Sequence, residues 1–115
     1  MRFVLLYRSG MPETNEPPSP QEMEAVGKLV QEMAEAGVLL GTEGFEPSAK
    51  GARIRINSGK FKVSDGPFAD ENELIDGYAM VKVNTRGEAI EWSKRFLAAV
   101  GKGESEIRLL REMPS

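Results

Sequence analysis

The stretch Ser64-Asp65-Gly66-Pro67-Phe68, which continues to Gly77-Tyr78, decides how the rest of the sequence is arranged. Strand-like sequence lies on both sides of it. Gly66 tolerates positive φ and Pro67 has a restricted φ, so these residues predict a tight turn. Acidic side chains are concentrated in the same stretch: Asp65, Asp70, Glu71, Glu73 and Asp76. We expect any functional site to include this turn.

The composition is that of one small globular domain. The chain has 115 residues, of which 40% are hydrophobic and 29% are charged. This length supports a modest core, so we expect residues 1–115 to form a single domain. The net charge of −3 gives no basic field, which argues against a nucleic-acid partner.

Cysteine and histidine are both absent from the sequence. Acid–base chemistry would therefore depend on carboxylates, Lys, Arg or Tyr. We predict no cofactor and no metal site. The apolar stretch 1–7 is too short for a signal peptide or a membrane span, so we expect a cytoplasmic protein with no membrane partner.

Hydrophobic periodicity and capping signals predict an alternating order of strands and helices. Ser19 and Thr85 are N-cap residues, and Gly37 and Gly101 end the helices that follow them. The predicted elements are strand 2–8, a helix from 19 to 37, a short strand beginning at 38, a hairpin over 52–63, strand 78–84, a helix from 85 to 101 and strand 106–111.

This order predicts a ferredoxin-like α+β domain with an inserted β-hairpin, in which two helices cover one face of an antiparallel sheet. Val4, Leu6, Tyr78 and Met80 would lie on the other face. Because an open apolar face is unfavourable in water, we predict a homodimer closed by these faces.

The hairpin alternates apolar and basic residues around a Ser58-Gly59 turn. We expect its apolar set to face the core: Ala52, Ile54, Ile56, Phe61 and Val63. Two interpretations remain open for Arg53 and Arg55. They are solvated charges that protect an edge, or they line a polar cavity and bind a carboxylate of a small ligand.

These residues resemble the DGPF-type members of the YCII-related family. The resemblance rests on Asp65-Gly66-Pro67-Phe68 with Glu73 and Gly77-Tyr78, and it extends over nearly the whole chain. Further matching segments are the first strand, Ser19 to Met23, Gly41 to Gly44 with Pro47, and Glu91-Trp92.

The resemblance implies a dimeric α+β barrel whose function is largely unassigned. Relatives in the wider family use a His-Asp pair in a pocket between sheet and helix, and this chain has no histidine. Asn72 and Asp76 also depart from the family pattern. These departures argue against a mechanism that needs an ammonium group beside Glu73.

Asp65 and Glu43 are the acid–base candidates. Asp65 either accepts backbone N–H bonds within its turn or acts as an ionised carboxylate at a pocket rim. Glu43 lies between Gly41 and Gly44 and either faces the same pocket or caps a neighbouring turn. Two nearby carboxylates would raise the pKa of one of them, which supplies an acid and a base without histidine.

The sequence therefore predicts a small-molecule pocket near the turn, with ligand binding or regulation as the favoured function. The alternative is a cofactor-free enzyme that moves protons on a small polar organic substrate. Phe68 either anchors the loop or stacks on a ligand. The predicted ligand contacts are Gly66, Pro67, Phe68, Glu73, Tyr78, Arg53 and Arg55.

Overall fold

The computed structural model describes residues 1–70 and 73–112. Its elements follow the predicted order, with a short 3-10 turn before the hairpin. They are β1 (Arg2–Arg8), α1 (Pro20–Glu35), β2 (Leu39–Gly44), the 3-10 turn (Ser48–Lys50), β3 (Ala52–Asn57), β4 (Lys60–Asp65), β5 (Gly77–Lys82), α2 (Arg86–Val100) and β6 (Glu104–Leu109).

Four strands form an antiparallel sheet in the order β2-β5-β1-β6. The first and last strands of the chain are neighbours, and each helix connects two strands of this sheet. This topology is ferredoxin-like, with β3 and β4 inserted between β2 and β5. The predicted fold class is confirmed.

Both helices begin at the residues that the capping signals predict. The hydroxyl groups of Ser19 and Thr85 each accept a hydrogen bond, at 3.1 Å, from the backbone N–H three residues later. Such bonds satisfy donors that the first helical turn leaves unpaired. Gly101 ends α2 with a φ of 76°, which suits a residue without a side chain.

The core lies between the helices and one face of the sheet. β1 contributes Phe3 and Leu5, and β5 contributes Val81, which is fully buried. Their alternation along each strand places them on the same side. The helices close this layer with three buried residues: Leu29, Met33 and Ala89.

The opposite face of the sheet is half apolar and half charged. Val4 lies opposite Met80, and Leu6 lies opposite Tyr78, as the alternation predicts. β6 adds charged residues to this face, among them Glu106, whose carboxylate pairs with Arg8 at 3.0 Å and with Arg108 at 3.1 Å. Hydrogen bonds from Arg108 and Arg8 lower the pKa of Glu106. The four predicted apolar residues of this face therefore lie beside a charged margin that β6 contributes.

The hairpin forms a separate two-stranded sheet. Ser58 and Gly59 form its turn with positive φ angles of 51° and 79°, the conformation typical of two-residue hairpin loops. The prediction that its apolar side chains face the core is wrong. Each of the four large ones is at least 61% exposed: Ile54, Ile56, Phe61 and Val63. Ala52 is exposed as well.

The physical reason is that strand alternation identifies an apolar face but not the surface that covers it. Within the described residues, no strand of the four-stranded sheet pairs with β3 or β4. The hairpin therefore presents its apolar face to solvent in the single chain.

Candidate functional site

The Asp65–Phe68 turn packs against the 3-10 turn. The Ser48 hydroxyl accepts a hydrogen bond from the Phe68 N–H at 3.0 Å and donates one to the Glu13 carboxylate at 2.7 Å. The Gly66 N–H donates to the Gly51 carbonyl at 3.1 Å. A Cβ atom at position 66 would lie 1.8 Å from the Ser48 carbonyl oxygen. This turn joins three segments of the chain at close range.

Phe68 and Arg53 contact each other beside this turn. The guanidinium carbon of Arg53 lies 4.0 Å from the centre of the half-buried Phe68 ring, a cation–π geometry. Arg55 is exposed. The contact attaches the base of the hairpin to the turn.

The two acid–base candidates lie in different surroundings. Asp65 is exposed at the end of β4, and its carboxylate accepts no hydrogen bond from any described residue. Glu43 is exposed in β2 opposite Tyr78, and their register places both side chains on the sheet face of Leu6, away from the helices. Both residues border a large cavity that Asp65 does not border. Glu73 is exposed, and its N–H donates to the Asp70 carbonyl at 3.1 Å. Glu71 and Asn72 lie outside the described residues.

The cavity is partly open, lies against the helices and the core-facing side of the sheet, and has a volume of about 880 Å³. The segments 9–19 and 44–47 border it. Most of its lining is apolar. The apolar side chains include Leu5 and Ala79 from the sheet, Met23, Val26, Val30 and Met33 from α1, and Trp92, Phe96 and Val100 from α2.

Tyr7 and Asp76 form a polar region of this cavity. The Asp76 carboxylate accepts a hydrogen bond from the Ser9 N–H at 2.7 Å, and the backbone N–H of Asp76 donates one to the Tyr7 carbonyl at 2.7 Å. The Tyr7 ring packs edge-on against Phe96 with centroids 5.0 Å apart, and its hydroxyl donates to the Lys102 carbonyl at 3.2 Å.

Burial, and then the negative charges of Asp76 and Glu22, raise the pKa of the Tyr7 phenol above its ordinary value. Tyr7 is therefore a neutral hydroxyl at physiological pH. Its one proton is donated to the Lys102 carbonyl, so its oxygen can still accept a hydrogen bond from a ligand. Glu22 lines the same cavity, and its carboxylate makes no hydrogen bond or ion pair with a described residue.

The sequence indicated Asp76 only as one of the acidic residues that follow the turn, and it did not indicate Tyr7 or Glu22 as site residues. Tyr7 lies in the predicted first strand, where it is a core position, and Glu22 lies three residues after the N-cap residue Ser19, where it is part of the capping signal. The available signal was register: Tyr7 pairs with Gly77 in the antiparallel sheet, which places Asp76 beside the end of β1. Residues far apart in sequence meet there because the two central strands are neighbours.

Charge is unevenly distributed around the cavity. Among the described residues that line it, six are acidic and only Lys102 is basic; the acids are Glu13, Glu16, Glu22, Glu43, Glu46 and Asp76. Glu13 binds Ser48, and Glu46 lies 3.7 Å from Lys50. Across residues 1–70 and 73–112, no three acidic side chains are grouped as a metal ion would require.

Two capped helices on one face of a four-stranded antiparallel sheet define a ferredoxin-like α+β domain with a cavity between its layers. The sequence model of the YCII-related domain matches residues 1–114, so the chain belongs to the YCII-related family. A search of curated proteins gave no match. Neither helix in the described part of the chain is long and apolar enough to cross a membrane.

Proposed function

We propose that the cavity between sheet and helices binds a small organic molecule. The observation that supports this proposal is the combination of a volume of about 880 Å³, a mostly apolar lining and a few polar groups. Ligand sites in proteins commonly have these three properties together. In this proposal, residues 1–115 form one domain of a cytoplasmic, homodimeric binding or regulatory protein.

The surrounding charge indicates the class of ligand. A molecule with an apolar body would contact the side chains of α1, α2 and the sheet. A cationic end would be attracted to Glu22 and Asp76, whereas an anionic end would be repelled by them. We therefore propose a ligand with an aliphatic or aromatic body and a protonated amine.

The alternative is a cofactor-free enzyme with acid–base chemistry on such a molecule. Glu43 lines the cavity, and Tyr7 and Asp76 lie at its polar region. These groups could hold or pass a proton to a bound substrate. Asp65, the second candidate from the sequence, lies off the cavity and would act only on a ligand that extends beyond it.

The single tryptophan gives a direct measurement of binding, because Trp92 lines the cavity. We expect hexylamine to change Trp92 fluorescence in a saturable titration at neutral pH. Hexanol and hexanoate have the same chain length and test the role of charge. The expected order of affinity is hexylamine, then hexanol, then hexanoate. An equal response to all three, or none to any, would contradict the proposed ligand class.

Glu22→Gln tests the proposed electrostatic contact, and Glu24→Gln is its matched control. Glu24 lies on the same helix, pairs with Lys28 at 3.5 Å and does not line the cavity. Glu22→Gln should weaken hexylamine binding about fivefold and leave hexanol unchanged, since a partly exposed ion pair contributes up to about 1 kcal/mol. Equal effects of both variants would exclude a specific role for Glu22.

The enzyme alternative has its own readout. If an amine of this class with an acidic C–H next to a carbonyl is a substrate, mass spectrometry after incubation in D₂O will detect a product in which that hydrogen has been exchanged for solvent deuterium. Glu43→Gln should then abolish product formation without changing the fluorescence titration. Saturable binding with no product would leave the binding function alone.

A further inference from the structure

The apolar face of the hairpin is an exposed surface that the cavity does not use. We define the hairpin arm as residues 52–65. On one side it carries Ile54 and Ile56 opposite Val63 and Phe61, with exposed fractions between 61% and 73%. On the other side it carries Arg53, Arg55, Lys60 and Lys62. We propose that the apolar face of the arm packs against a second copy of this chain.

A two-stranded hairpin is at best marginally stable by itself in water. Here its base is fixed by the Arg53–Phe68 contact and by the Gly66–Gly51 hydrogen bond, while its apolar side chains are exposed in the single chain. The Cα radius of gyration is 16.0 Å. A compact domain of this length has about 13 Å, so the arm extends away from the body.

The exposed area matches what a stable dimer requires. Four side chains of this size and exposure present roughly 450 Å² of apolar surface. In a two-fold dimer each copy supplies one arm and receives the other. The two arms together bury roughly 900 Å², and the surfaces that receive them bury about as much, so the total is on the order of 1,800 Å², within the range of stable interfaces.

Charge also favours a second copy as the partner. The arm has four basic side chains and one carboxylate, Asp65, whereas the whole chain has a net charge of −3. The rest of the chain is therefore acidic. The basic arm of one copy is therefore attracted to the acidic remainder of the other copy.

This inference adds a specific contact to the proposed homodimer and does not depend on the ligand. The four apolar residues of the arm are not among those that line the cavity. Loss of the dimer and loss of ligand binding can therefore be measured separately.

Sedimentation equilibrium on the full chain tests the arm. We compare wild type with the double variant Ile56→Ser/Phe61→Ser, in which a cross-strand apolar pair becomes polar. The control is Arg55→Ser/Lys62→Ser, the adjacent pair on the opposite side of the same strands. Wild type and control should be dimeric at micromolar concentration. The apolar variant should dissociate at least about a hundredfold more readily, because each dimer loses four buried side chains.

A wild type that is monomeric at 100 µM would overturn both the arm contact and the homodimer. A dimer that both double variants retain equally would overturn the arm contact alone. Cooperative urea unfolding with the wild-type far-UV spectrum shows that each variant still folds. Since the mutated side chains lie outside the core cluster, folding should be preserved.

Thiol accessibility gives a second measurement, because the natural chain has no cysteine. Ile54→Cys places one thiol on the apolar face of the arm, and Arg55→Cys places one on its basic face. In the dimer, Ile54→Cys should react with maleimide at least tenfold more slowly than Arg55→Cys. The difference should vanish on dilution to monomer. Equal rates in the dimer would show that the apolar face is uncovered and would overturn the proposal.

Discussion

Gly66 occupies a position where the structure leaves no room for a side chain. A Cβ atom there would lie 1.8 Å from the Ser48 carbonyl oxygen, a backbone atom that cannot move without shifting the 3-10 turn. The Ser48 side chain in turn links Phe68 to Glu13. The requirement for glycine in this motif is therefore explained by packing between two turns, independently of any ligand.

Gly66→Ala should destabilise the protein by about 2 kcal/mol or more, because the added atom overlaps backbone. Gly87→Ala is the matched control, since the nearest atom to its new Cβ is 3.7 Å away and alanine favours the helix. Urea denaturation of the three proteins measures the free energies of unfolding. Equal stability of wild type and Gly66→Ala would contradict the close packing.

At the scale of elements, the helices could be predicted closely from sequence because their ends have local causes. Ser19 and Thr85 are bonded to the N–H groups that the capping signals specify, and Gly101 has the expected positive φ. The hairpin turn could likewise be predicted from its own residues, Ser58 and Gly59. Whether another surface covers the hairpin depends on residues distant from it in sequence or on another molecule. The alternation of Ile54 and Ile56 with arginines would be the same for a strand that faces the core and for one that faces a partner.

Thr85→Ala should lower the free energy of unfolding by about 1 kcal/mol, because the Glu88 N–H loses its acceptor at the start of α2. Thr85→Ser keeps the hydroxyl and should retain most of the stability. Thermal or urea unfolding separates the two outcomes. A similar loss in both variants would assign the effect to the threonine methyl group rather than to the cap.

At the scale of the whole molecule, the two faces of the four-stranded sheet have different surroundings. The cavity lies on the side of the helices, and the other face combines apolar residues with the Glu106 ion pairs. The hairpin arm extends from the end of β2, beyond the 3-10 turn. In this arrangement the proposed dimer contact and the proposed ligand site occupy separate regions of one small chain.

The candidate residues predicted from sequence and the residues that border the cavity overlap only in part, because the cavity is formed by strands that are distant in sequence. Glu43 and Tyr78 are among the residues that border the cavity, whereas Asp65 and the turn that follows it are not. The residues that form the polar region come from β1, α1 and the segment before β5. Their proximity depends on strand order, and a local motif such as the 65–68 turn carries no information about it.

The most direct test of the cavity as the binding site is the ¹H–¹⁵N NMR spectrum of the labelled protein during a titration with hexylamine. We predict that the largest shifts occur at the Trp92 indole N–H and at the amides of Tyr7, Ala79 and Phe96. The amides of Asp65, Gly66 and Phe68 should change little. Shifts centred on the 65–68 turn, with Trp92 unaffected, would contradict the cavity as the ligand site and would show that hexylamine binds at the turn.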